Sequence, residues 1–580
     1  MTTTPVSIKH QGKTYSLELD TAKPPLAFKN DIYQLIGVPP DRMKVMIKGG
    51  TLKDDADWRK VGVKPGHTFM VIGAPGELPK PPEKPIVFLE DMDDAQLADA
   101  LRLPVGLQNL GNTCYMNSTV QCLRAIPELR AALQNFTGRG DPNKDLTAGL
   151  RDLYTGMSKT TEGFPPFIFL EASILLRRVA PQFAEQRQGM YAQQDADECW
   201  TQMITALSNA SLEGMPSPAA SSSSRPAKFV EQFLMGEITK THTCDEAPEE
   251  PPTTSKERVL KLDCNISVST NYMHSAIQET MNQKIEKMSP SLGRQAVYTE
   301  SARISRLPSS LAVHMVRFYW RRDINKKAKI MRKVKFPFEL DVLDLVTDEL
   351  KDKLRPLNSK LKEIEKERDE RKKVRRKTKT SIVAAAAAAA GAPSSAGGDI
   401  TMQDAPSSSS SAPGPGAGEG SEIGEIPRTN AAGELELVPG VLEDENVIRA
   451  REEKTLSALV DPEIAEDTGA SLHGLYELCG VVTHKGASAD SGHYIGWVKR
   501  DAIDAPVPSE LTEAAAGSSS SGGKPSLVDS MKEEWYKFDD DRVSVVDREK
   551  IASLDGGGED STAYILLYRC VFAYILFLAC

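Results

Sequence analysis

One cysteine stands in a sequence context that favours nucleophilic chemistry. It lies in segment 106–117, GLQNLGNTCYMN, where the residues at 111–113 supply a turn and a helix-capping threonine. Three apolar residues then share one face of a helix that stops at Pro127: Met116, Val120 and Leu123. Cys114 is therefore predicted at a helix N-terminus, where backbone amides and the helix dipole favour the thiolate over the thiol. An isolated helical cysteine is usually a core residue, so the prediction depends on the surrounding motif.

A nucleophilic cysteine needs a base, and one of the eight histidines has a distinctive setting. His493 lies in segment 491–498, SGHYIGWV, where Gly492 leaves space beside the imidazole and the following residues alternate as in a buried strand. The other seven are interpreted as surface or satisfied core residues: His10, His67, His242, His274, His314, His473 and His484. His493 is thus the predicted base.

An acidic cluster follows another predicted strand about 45 residues further on, in segment 535–541, WYKFDDD. One of its carboxylates is expected to orient His493, because a third group that fixes the imidazole tautomer completes such catalytic sets. A solvated turn is the alternative interpretation for the cluster, and it is left open for two of the three aspartates.

Residues 5–74 have the pattern of a small independent domain. Two strands around a turn at Gly12 and Lys13, a helix that ends at Gly37, and later strands that finish at 69–72 are predicted. This order and length resemble a ubiquitin-like β-grasp domain, with another small α+β domain as the alternative. Because the chain continues beyond it, the domain is interpreted as a fixed recognition module.

The rest of the chain is predicted to be a Pro-rich linker at 75–104 and a larger domain at 105–569. Three low-complexity inserts within that domain are predicted to be disordered loops without a core: about 216–226, 358–440 and 501–526. The apolar tail at 570–580 is too short for a membrane-spanning helix. An extra packed strand and a terminus that is not native to the protein remain open for it.

Composition excludes several classes of protein. With 81 acidic and 71 basic residues the net charge is −10, so no nucleic-acid or membrane partner is expected. The basic run at 372–379 is interpreted as a solvated helix face, with a nuclear-localisation or polyanion-binding patch as the alternative. The eight cysteines are too sparse in so long a chain for a disulfide scaffold, which predicts a reducing compartment, and they form no CxxC pair, which predicts no zinc. No cofactor is expected. The N-terminus does not read as a signal peptide, so a cytoplasmic protein is expected, with the nucleus left open.

Five segments together resemble the motifs of the ubiquitin-specific proteases, in the family's order. They are GLQNLGNTCYMNSTVQCL, YAQQDADECW, LAVHMVRF, GHYIGWV and WYKFDDDRVS. The resemblance implies an α+β protein: a β-grasp ubiquitin-like domain followed by a papain-like cysteine protease domain with thumb, palm and fingers. Many family members bind zinc at the fingertips through two CxxC pairs, but only the single Cys244 and Cys264 occur in that region here. The resemblance therefore implies no metal.

The resemblance also assigns roles to individual residues. Cys114 corresponds to the nucleophile, His493 to the general base and acid, Asp539 to the orienting carboxylate, and Asn109 to the position that stabilises the oxyanion. Four further residues are expected to line the cleft for the ubiquitin tail: Gln193, Asp195, Glu198 and Tyr494. The two carboxylates among them suit the arginines of that tail.

These features predict a thiol-dependent deubiquitinase that cleaves isopeptide bonds after the C-terminal glycine of ubiquitin. An N-terminal ubiquitin-like domain resembles the proteasome-associated members of the family. The implied partners are ubiquitin conjugates and the regulatory particle of the 26S proteasome, reached through residues 5–74, and the implied outcome is recycling of ubiquitin. A non-catalytic ubiquitin and proteasome adaptor with a degenerate site is the alternative function.

Overall fold

The computed structural model describes thirteen segments of the chain: 3–47, 50–73, 104–166, 178–187, 190–215, 228–322, 326–389, 423–429, 435–441, 445–488, 491–504, 533–558 and 560–570. The described residues form two compact units. Four predicted regions lie outside them: 75–103 of the linker, the insert at 216–226, the later insert from residue 505, and the tail beyond Cys570.

The first unit is a five-stranded sheet packed against one long helix. Its elements are β1 (Thr3–His10), β2 (Lys13–Asp20), α1 (Pro25–Ile36), β3 (Lys44–Ile47), β4 (Gly50–Thr51), α2 (Trp58–Val61) and β5 (His67–Ile72). The strand order is β2-β1-β5-β3-β4, with β1 and β5 parallel. This is the β-grasp arrangement that the sequence predicts.

Local sequence explains the boundaries of this unit. The hairpin turn is made by Gln11 and Gly12, both at positive φ, one residue earlier than predicted. Helix α1 begins at Pro25, which needs no amide partner there, and ends at Gly37, whose φ of 70° only glycine adopts without strain. Alternate strand residues and one face of α1 fill the core: Val6, Ile8, Leu19, Phe28, Ile32, Val45, Phe69 and Val71.

The second unit combines a helical layer with a large sheet. Its helices are α3 (Cys114–Leu123), α4 (Pro127–Gln134), α5 (Pro142–Met157), α6 (Ala196–Asn209), α7 (Phe229–Phe233), α8 (Met273–Thr280), α9 (Asp348–Ala389), α10 (Glu445–Ser457), α11 (Pro462–Glu466), α12 (Arg500–Asp504) and α13 (Arg548–Ala552).

Its strands are β6 (Gln186–Arg187), β7 (Met190–Tyr191), β8 (Gly236–Cys244), β9 (Thr253–Val259), β10 (Leu262–Asn265), β11 (Asn282–Met288), β12 (Gln295–Arg306), β13 (Ser310–Val316), β14 (Phe318–Arg321), β15 (Lys326–Lys329), β16 (Glu339–Asp341), β17 (Ile423–Thr429), β18 (Leu435–Val441), β19 (Leu475–Ser488), β20 (Ser491–Lys499), β21 (Glu534–Asp539), β22 (Arg542–Asp547) and β23 (Thr562–Cys570).

The large sheet carries the order β10-β13-β23-β19-β20-β21-β22, and the hairpin β14–β15 and strand β16 attach to β19. Helix α3 packs across β20, and all ten of its residues are buried. A separate four-stranded sheet, with the order β11-β12-β8-β9, corresponds to the expected fingers. The helical layer, the large sheet and the separate sheet match the predicted thumb, palm and fingers.

The predicted insert at 358–440 is not a disordered loop throughout, and the prediction is wrong in two places: its start belongs to helix α9, and the strands β17 and β18 pair with each other later in it. Helix α9 runs through it to Ala389, and its buried Leu361 and Ile364 pack with Leu456 of α10. The apolar residues recur at helical spacing within a charged segment, and their partner helix lies far along the chain. The insert at 501–526 also begins later than predicted, because α12 occupies 500–504.

Further along α9, beyond these apolar contacts with α10, ion pairs join the two helices. Arg368 and Arg371 both bond to Glu452, while Arg371 and Arg375 reach Glu445. The Arg371 and Glu452 side chains are only 10% and 8% exposed. Because a lone buried charge is costly, these pairs fix the register of the two helices.

No helix within the described segments is both long enough and apolar enough to cross a membrane.

Candidate active site

Cys114 is the first residue of α3, as its sequence context predicts. The side chain is only 2% exposed. Two donors face its Sγ at 3.5 Å: the backbone N–H of Tyr494 and the side-chain amide of Gln193. The thiol therefore lies where a helix N-terminus, strand β20 and the segment before α6 meet.

His493 and Asp539 lie on the neighbouring strands β20 and β21. Their Nε2 and Oδ1 atoms are 2.6 Å apart. A hydrogen bond with the Cys114 side chain, the largest effect, and the bond to Asp539 together outweigh burial and raise the pKa of His493 to about 9. Since Nε2 faces Asp539, Nδ1 is the nitrogen left for the thiol. The structure thus brings together the three residues that the sequence singles out.

Asp539 is held ionised by two donors. Burial alone would raise its pKa, but hydrogen bonds from Lys537, at 2.7 Å, and from His493 outweigh burial and lower the pKa. An ionised Asp539 fixes the orientation of the imidazole and stabilises its protonated form.

The next residue, Asp540, is a part of the site that sequence reasoning missed. Its Oδ1 accepts from Asn117 at 2.8 Å and its Oδ2 from Asn109 at 2.9 Å, and the carboxylate lies 3.9 Å from His493. A solvated turn is therefore the wrong interpretation for Asp540, although it holds for the exposed Asp541. Asn117 lies one helical turn after Cys114, and this spacing is the signal that would have placed it at the site.

Gly106 allows the segment before Cys114 to approach the turn at Asp540 and Asp541 closely. The Leu107 amide donates to the Asp540 carbonyl at 3.0 Å. A Cβ on Gly106 would lie 2.6 Å from backbone atoms of Asp540 and Asp541, so a side chain there would push the segments apart. Gln121 of α3 adds a buried bond to the Val105 carbonyl at 2.8 Å.

The side-chain amide of Asn109 is fully oriented. Its Oδ1 accepts from the backbone amides of Gly111 and Thr113 at 3.0 and 3.2 Å, and its Nδ2 donates to Asp540. An amide nitrogen carries two hydrogens, so one N–H of Asn109 is left for another acceptor. Asn109 lines a cleft of about 520 Å³ together with Gln108, His493, Asp539, Asp540, Asp541 and Arg542.

The predicted substrate-binding residues around α6 lie in different environments. Asp195 caps the helix by accepting from the Asp197 amide at 2.9 Å, and it also accepts from the Tyr564 hydroxyl at 2.7 Å. Glu198 is exposed, with only a long contact of 3.5 Å from Gln182. Gln193 differs from these two carboxylates, because its side-chain amide faces the Cys114 thiol.

The ring of Tyr494 is 1% exposed, so in this structure it presents almost no surface to the cleft. It packs edge-on against His484, with ring centroids 4.8 Å apart, and near Tyr564. Burial, followed by the nearby Lys329 and His493, lowers the pKa of His484 to about 3. His484 is therefore neutral, and it supports strand β20 beneath the catalytic histidine.

Comparison with known proteins identifies the family. Residues 105–568 match the family model described as "Ubiquitin carboxyl-terminal hydrolase", and residues 6–76 match the one described as "Ubiquitin family". The chain belongs to the ubiquitin carboxyl-terminal hydrolase family. It is a cysteine-type deubiquitinase with an N-terminal ubiquitin-like domain, which confirms the family and fold class predicted from the sequence.

Full-length relatives of this ubiquitin carboxyl-terminal hydrolase carry the same description. "Ubiquitin carboxyl-terminal hydrolase 6" of Schizosaccharomyces pombe is 38% identical, over 97% of this chain and 98% of the relative. "Ubiquitin carboxyl-terminal hydrolase 7" of Arabidopsis thaliana is 37% identical with the same coverage. "Ubiquitin carboxyl-terminal hydrolase 14" of Caenorhabditis elegans is 30% identical, over 97% of this chain and 93% of the relative.

The hydrolase contains a second cysteine and histidine in contact. Cys570 Sγ lies 3.2 Å from Nε2 of His473 and 3.4 Å from Oγ of Ser471. Nδ1 of His473 accepts from the Leu475 amide at 3.0 Å. Both members of the pair are buried, at the far end of β23 from Tyr564.

The described part of this hydrolase contains no group of three or more His, Cys, Asp or Glu residues arranged to hold a metal ion. In the fingers, Cys244 is buried against Ala296 and Tyr298. Cys264 lies in the large sheet, with its Sγ 3.8 Å from the Met273 carbonyl.

Proposed function

We propose that this deubiquitinase hydrolyses the isopeptide bond after the C-terminal glycine of ubiquitin, with Cys114 as the nucleophile. The observation that carries the proposal is the contiguous set of Cys114, His493 and Asp539, with an imidazole pKa of about 9. Such a pKa keeps His493 protonated at neutral pH, so the imidazolium can pair with a Cys114 thiolate and can donate a proton to the leaving group.

The reaction has two halves. Cys114 attacks the glycine carbonyl, protonated His493 gives its proton to the leaving lysine amine, and a thioester forms. Neutral His493 then takes a proton from water as the water attacks the thioester, and ubiquitin leaves with a free carboxylate. Asp539 stabilises the imidazolium that is present before the first half and forms again in the second half.

The remaining N–H of Asn109 and the backbone N–H of Cys114 are the proposed oxyanion donors. Both belong to rigid surroundings, because the Asn109 amide is fixed by three partners and Cys114 begins a buried helix. Donors held in place before the reaction need no reorganisation when negative charge develops on the carbonyl oxygen.

The acidic start of α6 suits the basic tail of ubiquitin. Asp195 and Glu198 are the proposed partners of the tail arginines, while Gln193 and the Tyr494 backbone line the end of the path at the thiol. Arginine–carboxylate pairs provide both charge and bidentate geometry.

A ubiquitin that carries an electrophile at its C-terminus tests the proposal. We expect it to attach to Cys114 and not to the Cys114→Ala variant, which should also lose turnover of a fluorogenic ubiquitin conjugate. The non-catalytic adaptor remains as the competing function, and wild-type protein that binds ubiquitin without turning the conjugate over would favour it.

The first unit is proposed to bind a ubiquitin-receptor subunit in the regulatory particle of the 26S proteasome. Its β3 and β5 strands leave an apolar patch exposed, formed by Met46, Met70 and Ile72 beside Lys44. An apolar patch with a cationic rim is a common protein-binding surface. Tethering would raise the local concentration of the enzyme near arriving conjugates and so recycle ubiquitin in the cytoplasm.

Deleting residues 1–80 separates this proposal from its alternative, in which the domain inhibits the cleft. Tethering predicts lost co-sedimentation with proteasomes and unchanged basal hydrolysis, whereas autoinhibition predicts a rise in basal hydrolysis. Met70→Glu with Ile72→Glu should reproduce the loss, and the matched change Leu35→Glu on α1, also exposed, should not.

Two segments, residues 319–331 and residues 485–491, are proposed to gate the cleft. The hairpin β14–β15 pairs with β19 at Ala328 and Ser488, and Lys329 donates to the His484 carbonyl at 2.7 Å, just before the turn that leads to His493. A shift of either segment would move the other. We expect the free enzyme to turn conjugates over more slowly than the enzyme with proteasomes added, and equal rates would contradict the gating proposal.

A further inference from the structure

Tyr564 is a buried residue of β23 whose hydroxyl reaches the proposed tail-binding site. Its side chain is 3% exposed, and its hydroxyl donates to Oδ1 of Asp195 at 2.7 Å. The ring packs against His314, Phe318 and Tyr494, with centroids 5.1, 5.4 and 6.1 Å away. Three aromatic neighbours thus hold the tyrosine, and the tyrosine in turn contacts the carboxylate.

The carboxylate of Asp195 has two donors on one oxygen. Oδ1 accepts both the Tyr564 hydroxyl and the Asp197 amide. The helix cap needs only the Asp197 bond, so the bond to Tyr564 adds a second constraint on the plane of the carboxylate. Oδ2 is consequently held in one direction, and the carboxylate remains partly exposed.

The charge of the adjacent Asp197 is already compensated. Lys261 binds both of its oxygens, and His314 lies 3.7 Å away. Among the acidic residues at the start of α6, Asp195 and Glu198 are therefore the ones whose charge is available to a cationic substrate. Of these two, Asp195 is the one oriented by a buried side chain.

We infer that Tyr564 is a positioning residue that orients Asp195 toward the basic tail of the substrate and so contributes to substrate affinity. This inference rests on the proposed function, in which Asp195 meets an arginine of the ubiquitin tail. A fixed carboxylate loses less conformational entropy on binding than a freely rotating one, which lowers KM without assisting the chemical step.

The test compares full-length wild-type, Tyr564→Phe and Tyr568→Phe enzymes. Tyr568 is the matched control, because it is buried on the same strand and its hydroxyl donates to the Pro337 carbonyl at 2.7 Å, away from Asp195. On a fluorogenic ubiquitin conjugate, Tyr564→Phe should raise KM about fivefold and leave kcat within about twofold. Tyr568→Phe should leave both constants within about twofold.

A second substrate separates orientation of Asp195 from a general structural effect. With ubiquitin whose tail arginines are changed to leucine, Tyr564→Phe and wild type should have the same KM within about twofold. In an Asp195→Asn background, which keeps the helix cap, adding Tyr564→Phe should likewise change KM less than twofold.

Three outcomes would overturn the inference: an unchanged KM in Tyr564→Phe, a fall in kcat at constant KM, or the same KM rise on the leucine substrate. The proposed function fails in a different way, through absent turnover by the wild-type enzyme.

Discussion

Two cysteine–histidine contacts occur in the part of the chain that the structure describes, and they differ in what lies on the far side of the imidazole. His493 faces the Asp539 carboxylate with Nε2, which leaves Nδ1 for Cys114. His473 instead accepts the Leu475 amide with Nδ1 and faces Cys570 with Nε2. A backbone amide donates only, so the proton of a neutral His473 is on Nε2 and points at the sulfur.

The difference shows that short distance alone does not make a catalytic pair. An imidazole whose proton already faces the thiol has no lone pair there to accept a second one. The carboxylate behind His493 has the opposite effect, because it places a proton on the far nitrogen and stabilises the imidazolium. Position in the fold adds to the contrast, since Cys114 begins a helix while Cys570 ends a strand.

Removing each thiol in turn should give the largest difference in kcat between the Cys114–His493 and Cys570–His473 contacts. Cys114→Ala should lower kcat by more than about 10⁴-fold, because no other group forms the thioester. Cys570→Ala should keep kcat within about twofold, measured on a fluorogenic ubiquitin conjugate. Turnover by Cys114→Ala above one hundredth of wild type would contradict the assignment.

Asp539→Asn should make the Cys114–His493 contact more like the Cys570–His473 contact, which has no carboxylate hydrogen-bonded to the far nitrogen of its imidazole. Loss of the carboxylate should lower kcat by up to about 10⁴-fold, because the imidazole can then adopt the wrong tautomer. Asp539 helps to raise the pKa of His493 to about 9, so its removal should lower that pKa. Above this pKa His493 loses the proton it gives to the leaving amine.

The pH profile of kcat/KM measures this effect. The alkaline fall should be centred near pH 9 in the wild type and should move to lower pH in Asp539→Asn. Lys550→Ala, an exposed change beyond β22, serves as the control with an unshifted profile. A variant whose alkaline limb stayed in place would show that Asp539 does not act through His493.

Asn109→Ala tests the proposed oxyanion donor beside Cys114. The structure describes no equivalent side-chain amide beside Cys570. We expect kcat to fall about 10²–10³-fold with a small change in KM, because the oxyanion exists only along the reaction path. Asn265→Ala, which removes an exposed amide at the end of β10, is the control. A rise in KM at unchanged kcat would instead indicate a role in ground-state binding.

The smallest expected effect concerns His473. His473→Phe removes the acceptor for the Leu475 amide, so the free energy of unfolding should fall by about 1–3 kcal/mol, measured by urea denaturation. Turnover per folded enzyme should stay within about twofold. A large loss of kcat without loss of stability would show that this second contact takes part in catalysis.

Much of the site can be predicted from the sequence because its signals are local. The turn and the apolar spacing locate Cys114, and Gly492 with an alternating strand marks His493. The predicted cap is only partly right, because Thr113 occupies the N-cap position but makes no side-chain bond to the helix and instead accepts from the Leu110 amide. Asp540 could not be assigned, because which of three consecutive aspartates faces inward depends on the turn, where Asp540 has a φ of 54°. The Tyr564 contact joins residues 369 apart in sequence and leaves no local pattern.

The fold shows the same limit on a larger scale. The β-grasp unit follows from short-range alternation, turns and caps. The sequence analysis predicts a solvated helix face at 372–379 but not the packing of α9, because its charged residues have the composition of a disordered segment and two of the carboxylates that pair with Arg371 lie on α10. Composition describes what a segment contains, and it does not reveal a partner supplied from far along the chain.

The paired helices α9 and α10 also determine how the hydrolase tolerates changes of length. Arg375 of α9 pairs with Glu445, the first residue of α10, so the chain between these two residues starts and ends at one fixed stem. The entropy of closing a flexible loop grows only with the logarithm of its length, and doubling it costs about 0.6 kcal/mol. Residues can therefore be gained or lost beyond the stem at little thermodynamic cost, while the strands that carry His493 and Asp539 keep their register.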